Sequence, residues 1–141
     1  MKKEILHYFR ERFGIPPSCF QTFSLYAASR GRIYVGPETT IPRPEPVSVG
    51  ILAARTGNAI KPTTAILQLL GRHATRNIVR ISRKDAEKFA GGQDLKAGET
   101  EATEGYVLVS YQDTPLGCGF LKGGTVRSMI PKAKRLQLKF L

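Results

Sequence analysis

The sequence predicts an α+β chain whose C-terminal half is rich in strands. Three observations predict it. Ile5, Leu6, Phe9 and Phe13 recur at helical spacing near the start. The run Gly105–Tyr111, GYVLVSY, is apolar and β-branched. Behind it, PLGCGFLKGGTVRSMIPKAKRL (Pro115–Leu136) is punctuated by glycines at strand-and-turn spacing and carries no acid.

The elements follow in order. Lys3–Phe13 reads as an amphipathic helix, ended by Gly14 and by Pro16-Pro17, which cannot continue it. Phe20–Ser29 and Arg32–Glu38 are β-rich and flank Arg30-Gly31, a hairpin signal. Thr39–Pro46 holds Pro42, Pro44 and Pro46, so an extended linker or edge segment is expected. Val47–Arg55 reads as a strand and Thr56-Gly57-Asn58 as a turn. Pro62 suits a first helical position, with Ala65, Ile66, Leu69 and Leu70 as the buried stripe and Gly71 as the stop.

Asn77–Ser82 reads as a strand. Ser82 is a good N-cap for a short helix Arg83–Ala90, and Asp85 puts a carboxylate at its positive end. Gly91-Gly92 ends that helix, and Lys96–Glu104 is polar and reads as a loop. Leu116–Lys122 should pair with Gly105–Tyr111, and Gly123-Gly124 should turn it into Thr125–Ile130. Arg135–Leu141 alternates Leu136, Leu138 and Phe140 with Arg135, Gln137 and Lys139, as a strand closing a small barrel would. The helix-hairpin-strand-helix set gives way to the β-rich set near His73–Arg76, so the expected division is 1–73 and 74–141.

Composition narrows the function. The chain has 141 residues and 41% hydrophobic content, enough to bury a core. No apolar run approaches the ~20 residues of a membrane span. The N-terminal apolar residues are interrupted by Glu4, Arg10, Glu11 and Arg12, unlike a signal peptide, so a cytoplasmic protein is expected. Twenty-two Lys and Arg face eleven Asp and Glu, a net charge of +11. The excess is segregated. No acid occurs between Glu45 and Asp85 or after Asp113, whereas acids gather at Asp85–Glu104. Segregated positive charge on a folded chain favours a polyanion, because each phosphate contact releases a condensed counterion.

Other chemistries fit poorly. A phosphate-binding P-loop needs a helix behind its glycines, with lysine and a hydroxyl residue directly after the last. Gly117, Gly119, Gly123 and Gly124 are followed by the strand-like Thr125-Val126. A dinucleotide fingerprint fails on the same ground. Cys19, Cys118, His7 and His73 are isolated, so neither a metal nor another cofactor is called for. Cys118 sits between glycines with no base nearby in sequence, which reads as a packed thiol rather than a nucleophile, and no enzymatic activity is expected. The remaining chemistry is a β-rich surface with cations, glycines that permit close backbone approach, and Tyr106, Tyr111 and Phe120 as bases for stacking or as core.

GYVLVSYQDTPLGCGFLKGGTVRSMIPKAKRL resembles the closing stretch of the PUA-like RNA-binding domain of Sun-type RNA cytosine-C5 methyltransferases, notably the ribosomal RNA small-subunit methyltransferase F group. Gly105-Tyr106, Pro115-Leu116-Gly117, Gly119 and Pro131-Lys132 follow that pattern in order, and Gly91-Gly92-Gln93-Asp94-Leu95 after a short helix fits it. ERFGIPPSCF (Glu11–Phe20) is similar to segments preceding such domains. The resemblance implies a small N-terminal α/β, pre-PUA-like domain and a C-terminal PUA-like mixed β-barrel. It implies binding of structured RNA, ribosomal or transfer, in RNA modification or ribosome biogenesis. The catalytic activity does not carry over. The methyl-donor fold exceeds this whole length, and Ser18 and Gly117 stand before the two cysteines, where the family's catalytic cysteine follows Thr or Pro.

The candidate RNA-contacting residues are Arg72, Arg76, Gly91, Gly92, Gly117, Gly119, Lys122, Arg127, Lys132, Lys134 and Arg135. A second reading is a protein-interaction or targeting subunit, whose partner would be a separately encoded RNA-modifying enzyme or ribosome-assembly factor.

Overall fold

A computed structural model describes residues 1–37 and 50–135 of the chain. The proline-rich segment, the start of the strand expected at Val47, and the closing strand expected after Arg135 lie outside the described residues. Helix α1 (Lys2–Phe13) buries Ile5, Phe9 and Phe13. Gly14 ends it in the left-handed conformation (φ 67°), which orients its N–H toward the Arg10 carbonyl. A 3₁₀ turn at Pro17–Phe20 leads into β1 (Phe23–Ala28) and β2 (Arg32–Pro37), paired antiparallel across Arg30-Gly31 as the sequence predicts. Strands β3 (Ile51–Arg55) and β4 (Lys61–Pro62) complete a four-stranded antiparallel sheet in the order β1-β2-β3-β4.

Helix α2 (Thr64–Leu70) starts two residues later than Pro62 suggested. Thr63 is the N-cap, and its hydroxyl accepts from the Ile66 N–H at 3.1 Å. Pro62 instead pairs with Ala54 in the short edge strand β4, where a missing donor costs nothing.

The second sheet is built from β5 (Ile78–Arg80), β6 (Leu95–Lys96), β7 (Gly105–Tyr111), β8 (Thr114–Lys122) and β9 (Thr125–Ser128). Its order is β5-β7-β8-β9-β6, with β5 parallel to β7 and the other pairs antiparallel. Helix α3 (Arg83–Ala90) is capped by the Ser82 hydroxyl, which accepts from the Asp85 N–H at 3.1 Å. The strand β5 is shorter than Asn77–Ser82, because Asn77 adopts a positive φ of 56° and leaves the extended region. Leu95-Lys96, read from sequence partly as loop, forms an edge strand against β9.

Register assigns each face of the second sheet. Val79, Val109, Leu121, Val126 and Leu95 share one face and pack with Phe89 of α3 and with Ile130. Leu108 and Cys118, direct partners across β7 and β8, share the other face and join the core of Ile5, Phe9, Phe13, Ile66 and Leu67. The sheet therefore lies between α1 and α2 on one side and α3 on the other.

A polar joint fixes α1 to this sheet. Arg12 donates to the Tyr106 carbonyl at 2.7 Å and to Thr103 at its hydroxyl and carbonyl. The Asn77 amide donates to the Arg12 carbonyl and accepts from the Thr103 N–H. On the α2 side, the buried Thr64 hydroxyl accepts from the Cys118 N–H at 3.0 Å.

Candidate nucleic-acid interface

Along β8 the face that meets the helices changes character. Cys118 is fully buried, Phe120 is half-buried and Lys122 is exposed. The register carries that change sideways. Tyr106, Phe120 and Arg127 oppose one another across β7, β8 and β9, and Lys122, Thr125 and Lys96 oppose one another across β8, β9 and β6. Side chains directly opposite on neighbouring strands point the same way. Lys96, Lys122 and Arg127 are thus exposed on the same face as Phe120, whose ring meets Tyr106 edge-on at 4.9 Å. Lys96 and Lys122, two strands apart, are separated by about 10 Å. Neither they nor Arg127 forms an ion pair among the described residues.

Beyond β9 the chain turns at Pro131 into a 3₁₀ turn, Lys132–Lys134, whose cations are exposed. Arg135 folds back, donating from Nε to the Ile130 carbonyl at 3.2 Å. It lies over Gly92, where a Cβ would fall 2.6 Å from Arg135 Cδ. Gly92 has a φ of +90°, so the turn after α3 needs glycine both for conformation and for room. The same corner is tied by Asp94, whose carboxylate accepts from the Ser128 N–H at 3.2 Å, and by the Ser128 hydroxyl donating to the Phe89 carbonyl at 3.2 Å.

The structure brings some predicted residues together and separates others. Lys122 and Arg127 share the strip with Phe120. Lys132, Lys134 and Arg135 follow it beyond the end of β9, and of these Arg135 lies against Gly92, next to Gly91. Gly117 and Gly119 are buried within β8. A Cβ on Gly117 would lie 3.0 Å from the Thr64 side chain, and one on Gly119 would lie 2.6 Å from Val126 Cγ1. The missing side chain lets α2 approach the sheet at Gly117 and lets Val109 and Val126 of the neighbouring strands close over Gly119. Arg72 and Arg76 stand at the opposite, β5 edge. Arg72 lines a hollow with Arg80, and Arg76 donates to the Glu11 carbonyl at 3.0 Å. Lys96 escaped sequence reasoning because it sits in a stretch that read as acidic loop. Only its register opposite Thr125 places it on the strip.

Two larger cavities flank the helices. A groove of about 1180 Å³ runs between α1, β5 and the loop before β7, lined by Lys3, Arg12, Arg76 and Arg80 and by Glu4, Glu11 and Glu101. Tyr8 lines it, but its hydroxyl is buried and has no hydrogen-bond partner among the described residues, and burial raises its pKa. Burial also pushes the Cys118 thiol up to about 12, so it is held as a neutral packed group. A cleft of about 900 Å³ lies on the other side, between the two sheets and α2. Among the described residues no group of three or more His, Cys, Asp and Glu is placed to hold a metal ion, and no helix is long and apolar enough to cross a membrane.

A mixed sheet with a parallel β5-β7 pair, packed on α3 and preceded by a smaller sheet with two helices, is the architecture of a PUA-like fold. The chain is similar to the structure of a conserved PUA domain protein from Thermoplasma acidophilum, with a TM-score of 0.61 over 95% of this chain and 92% of that one. The identity is 15%, so this similarity establishes the fold. Residues 76–136 match the family model of the methyltransferase RsmF PUA domain, a domain class that commonly binds RNA. That segment contains all of the second sheet and α3. A comparison with curated protein sequences gives no match.

Proposed function

We propose that the protein binds structured RNA, ribosomal or transfer, in RNA modification or ribosome biogenesis, and that Lys96, Lys122, Arg127, Lys132 and Lys134 form its main phosphate-contacting surface. The observation that carries this reading is the strip: exposed cations that form no ion pair among the described residues, on one sheet face, beside a half-buried aromatic pair. Cations there fix the RNA backbone, and Phe120 offers a ring edge or face to a base where one is unpaired. The chemistry is recognition, and no bond-making step is assigned to the chain.

The β5-edge groove supports a second reading. Its four cations, Lys3, Arg12, Arg76 and Arg80, and three acids are mixed in sign, which suits a protein segment better than a polyanion. A separately encoded RNA-modifying enzyme or assembly factor would dock there while the strip engages RNA.

Ultraviolet crosslinking in cells, followed by mass spectrometry of the RNA-bound peptides and sequencing of the RNA, tests the first reading. Crosslinked peptides from Gly119–Arg127 on ribosomal or transfer RNA are the expected outcome. Absence of crosslinked RNA, or crosslinks confined to the β5 edge, would overturn it.

A further inference from the structure

The cleft between the two sheets differs in kind from the rest of the surface. Its charged lining among the described residues is Arg55, Lys61 and Lys134, with no acid. Its walls are apolar and aromatic. Tyr34 of β2 and Tyr106 of β7 contribute rings, while Leu69 of α2 and Met129 after β9 are large apolar side chains left 41% and 38% exposed. Cations around an apolar floor match a nucleotide, which presents a flat face to stack and an anion to neutralise. The cleft is also continuous with the strip. Tyr106 lines it and touches Phe120, and Met129 lies two residues, about 7 Å, beyond Arg127 on the same strand direction.

We infer that this cleft receives an unpaired RNA nucleotide, from a single-stranded end or a bulge, next to a backbone held on the strip. The inference rests on the RNA-binding reading above and adds a requirement that a cation strip alone does not impose. A strip of cations reads phosphate and is indifferent to whether the neighbouring base is paired. A cleft of this size with stacking walls admits a base only when that base is out of its helix. Arg55 and Lys61, direct partners across β3 and β4, would meet the phosphate of the inserted nucleotide from the first sheet, and Lys134 from the second.

Two RNA hairpins of identical stem and loop test this, one blunt and one with a four-nucleotide 3′ overhang, titrated by fluorescence anisotropy. The full-length protein is expected to bind the overhang form at least tenfold more tightly. Leu69→Glu and Met129→Glu change exposed side chains and place an acid at the cleft, so they should abolish that gain while leaving affinity for the blunt hairpin within about twofold. A 4-thiouridine in the overhang should crosslink to peptides containing Tyr34 or Tyr106. Blunt binding without an overhang gain, or a gain that survives both variants, overturns the cleft assignment alone. Failure to bind either hairpin overturns the RNA-binding reading together with it.

Discussion

Reversing two charges on the strip should change how RNA binding responds to salt, and by an amount the structure sets. Lys96, Lys122, Arg127, Lys132 and Lys134 are exposed and without ion pairs among the described residues. If each neutralises one phosphate, the plot of log K against log salt should have a slope of about −3.5 to −4.5, from ~0.7 to ~0.9 per contact. Affinity for a structured RNA would then fall roughly 130- to 500-fold between about 50 and about 200 mM salt. Lys122→Glu with Arg127→Glu removes two contacts and should flatten the slope to about −2 to −3. Arg72→Glu, at the β5 edge, should leave the slope unchanged. The assay is an anisotropy titration at four or more salt concentrations, with circular dichroism to show that each variant is folded. A shallow slope in the native protein, or a double reversal that leaves the slope intact, would refute the placement of the RNA on this face.

Two further expectations concern the frame that presents the strip. Thr64→Val keeps shape but leaves the buried Cys118 N–H without its acceptor, at a cost of about 1–3 kcal/mol. For a chain of this length that lowers the melting temperature by about 3–10 °C, whereas Thr64→Ser, which keeps the hydroxyl, should retain the hydrogen bond. Equal melting of the native and Val proteins would show that the bond contributes nothing. The second is alkaline. The Cys118 thiol titrates near 9.0 when free and is raised to about 12 by burial in the fold. A group with a raised folded pKa contributes its full stability below the unfolded value and loses it as pH rises toward the folded one. Urea midpoints should therefore decline as the pH rises above about 9 toward 12, and Cys118→Ala should flatten the decline; an identical decline in the variant would remove Cys118 as its source.

Local chemistry in the chain foretold the elements that local chemistry controls. Ser82 caps α3, the run Gly105–Tyr111 is β7 with the expected limits, and Gly123-Gly124 turns β8 into β9. Pro62 misled because two structures accept proline without loss, a first helical turn and an edge strand, and the choice between them was made by Ala54 opposite. The site was legible only in its ingredients. Lys122 and Arg127 stand five residues apart in sequence, yet nothing local says that Lys96 joins them. That follows from β6 pairing with β9 across a long connection. Gly117 and Gly119 show the converse. Glycine in a basic stretch suggested backbone open to phosphate, but its alternation within β8 also permits close packing of Thr64 and Val126, and the register selects packing.

The position of the strip follows from how much of the sheet the helices cover. α1 and α2 seal the centre of one face, over Leu108 and Cys118, and the sheet is wider than they are. At the β5 edge the uncovered margin receives Arg80, with Arg76 and three acids of neighbouring elements close by, so the field there is mixed. At the other edge the margin spans β8, β9 and β6, where the register places Lys96, Lys122 and Arg127, and the one carboxylate that a hydrogen bond among the described residues brings to the β8–β9 turn is that of Glu104, which accepts from the Gly123 N–H at 3.3 Å. The strand gradient from Cys118 through Phe120 to Lys122 marks where helix cover ends. Arg12 and Asn77 hold α1 on Thr103 and Tyr106, so that boundary is set by hydrogen bonds rather than by apolar packing alone. A face left open by a fixed helix presents its cations without a conformational change, and such a preorganised surface loses little of its binding energy to ordering.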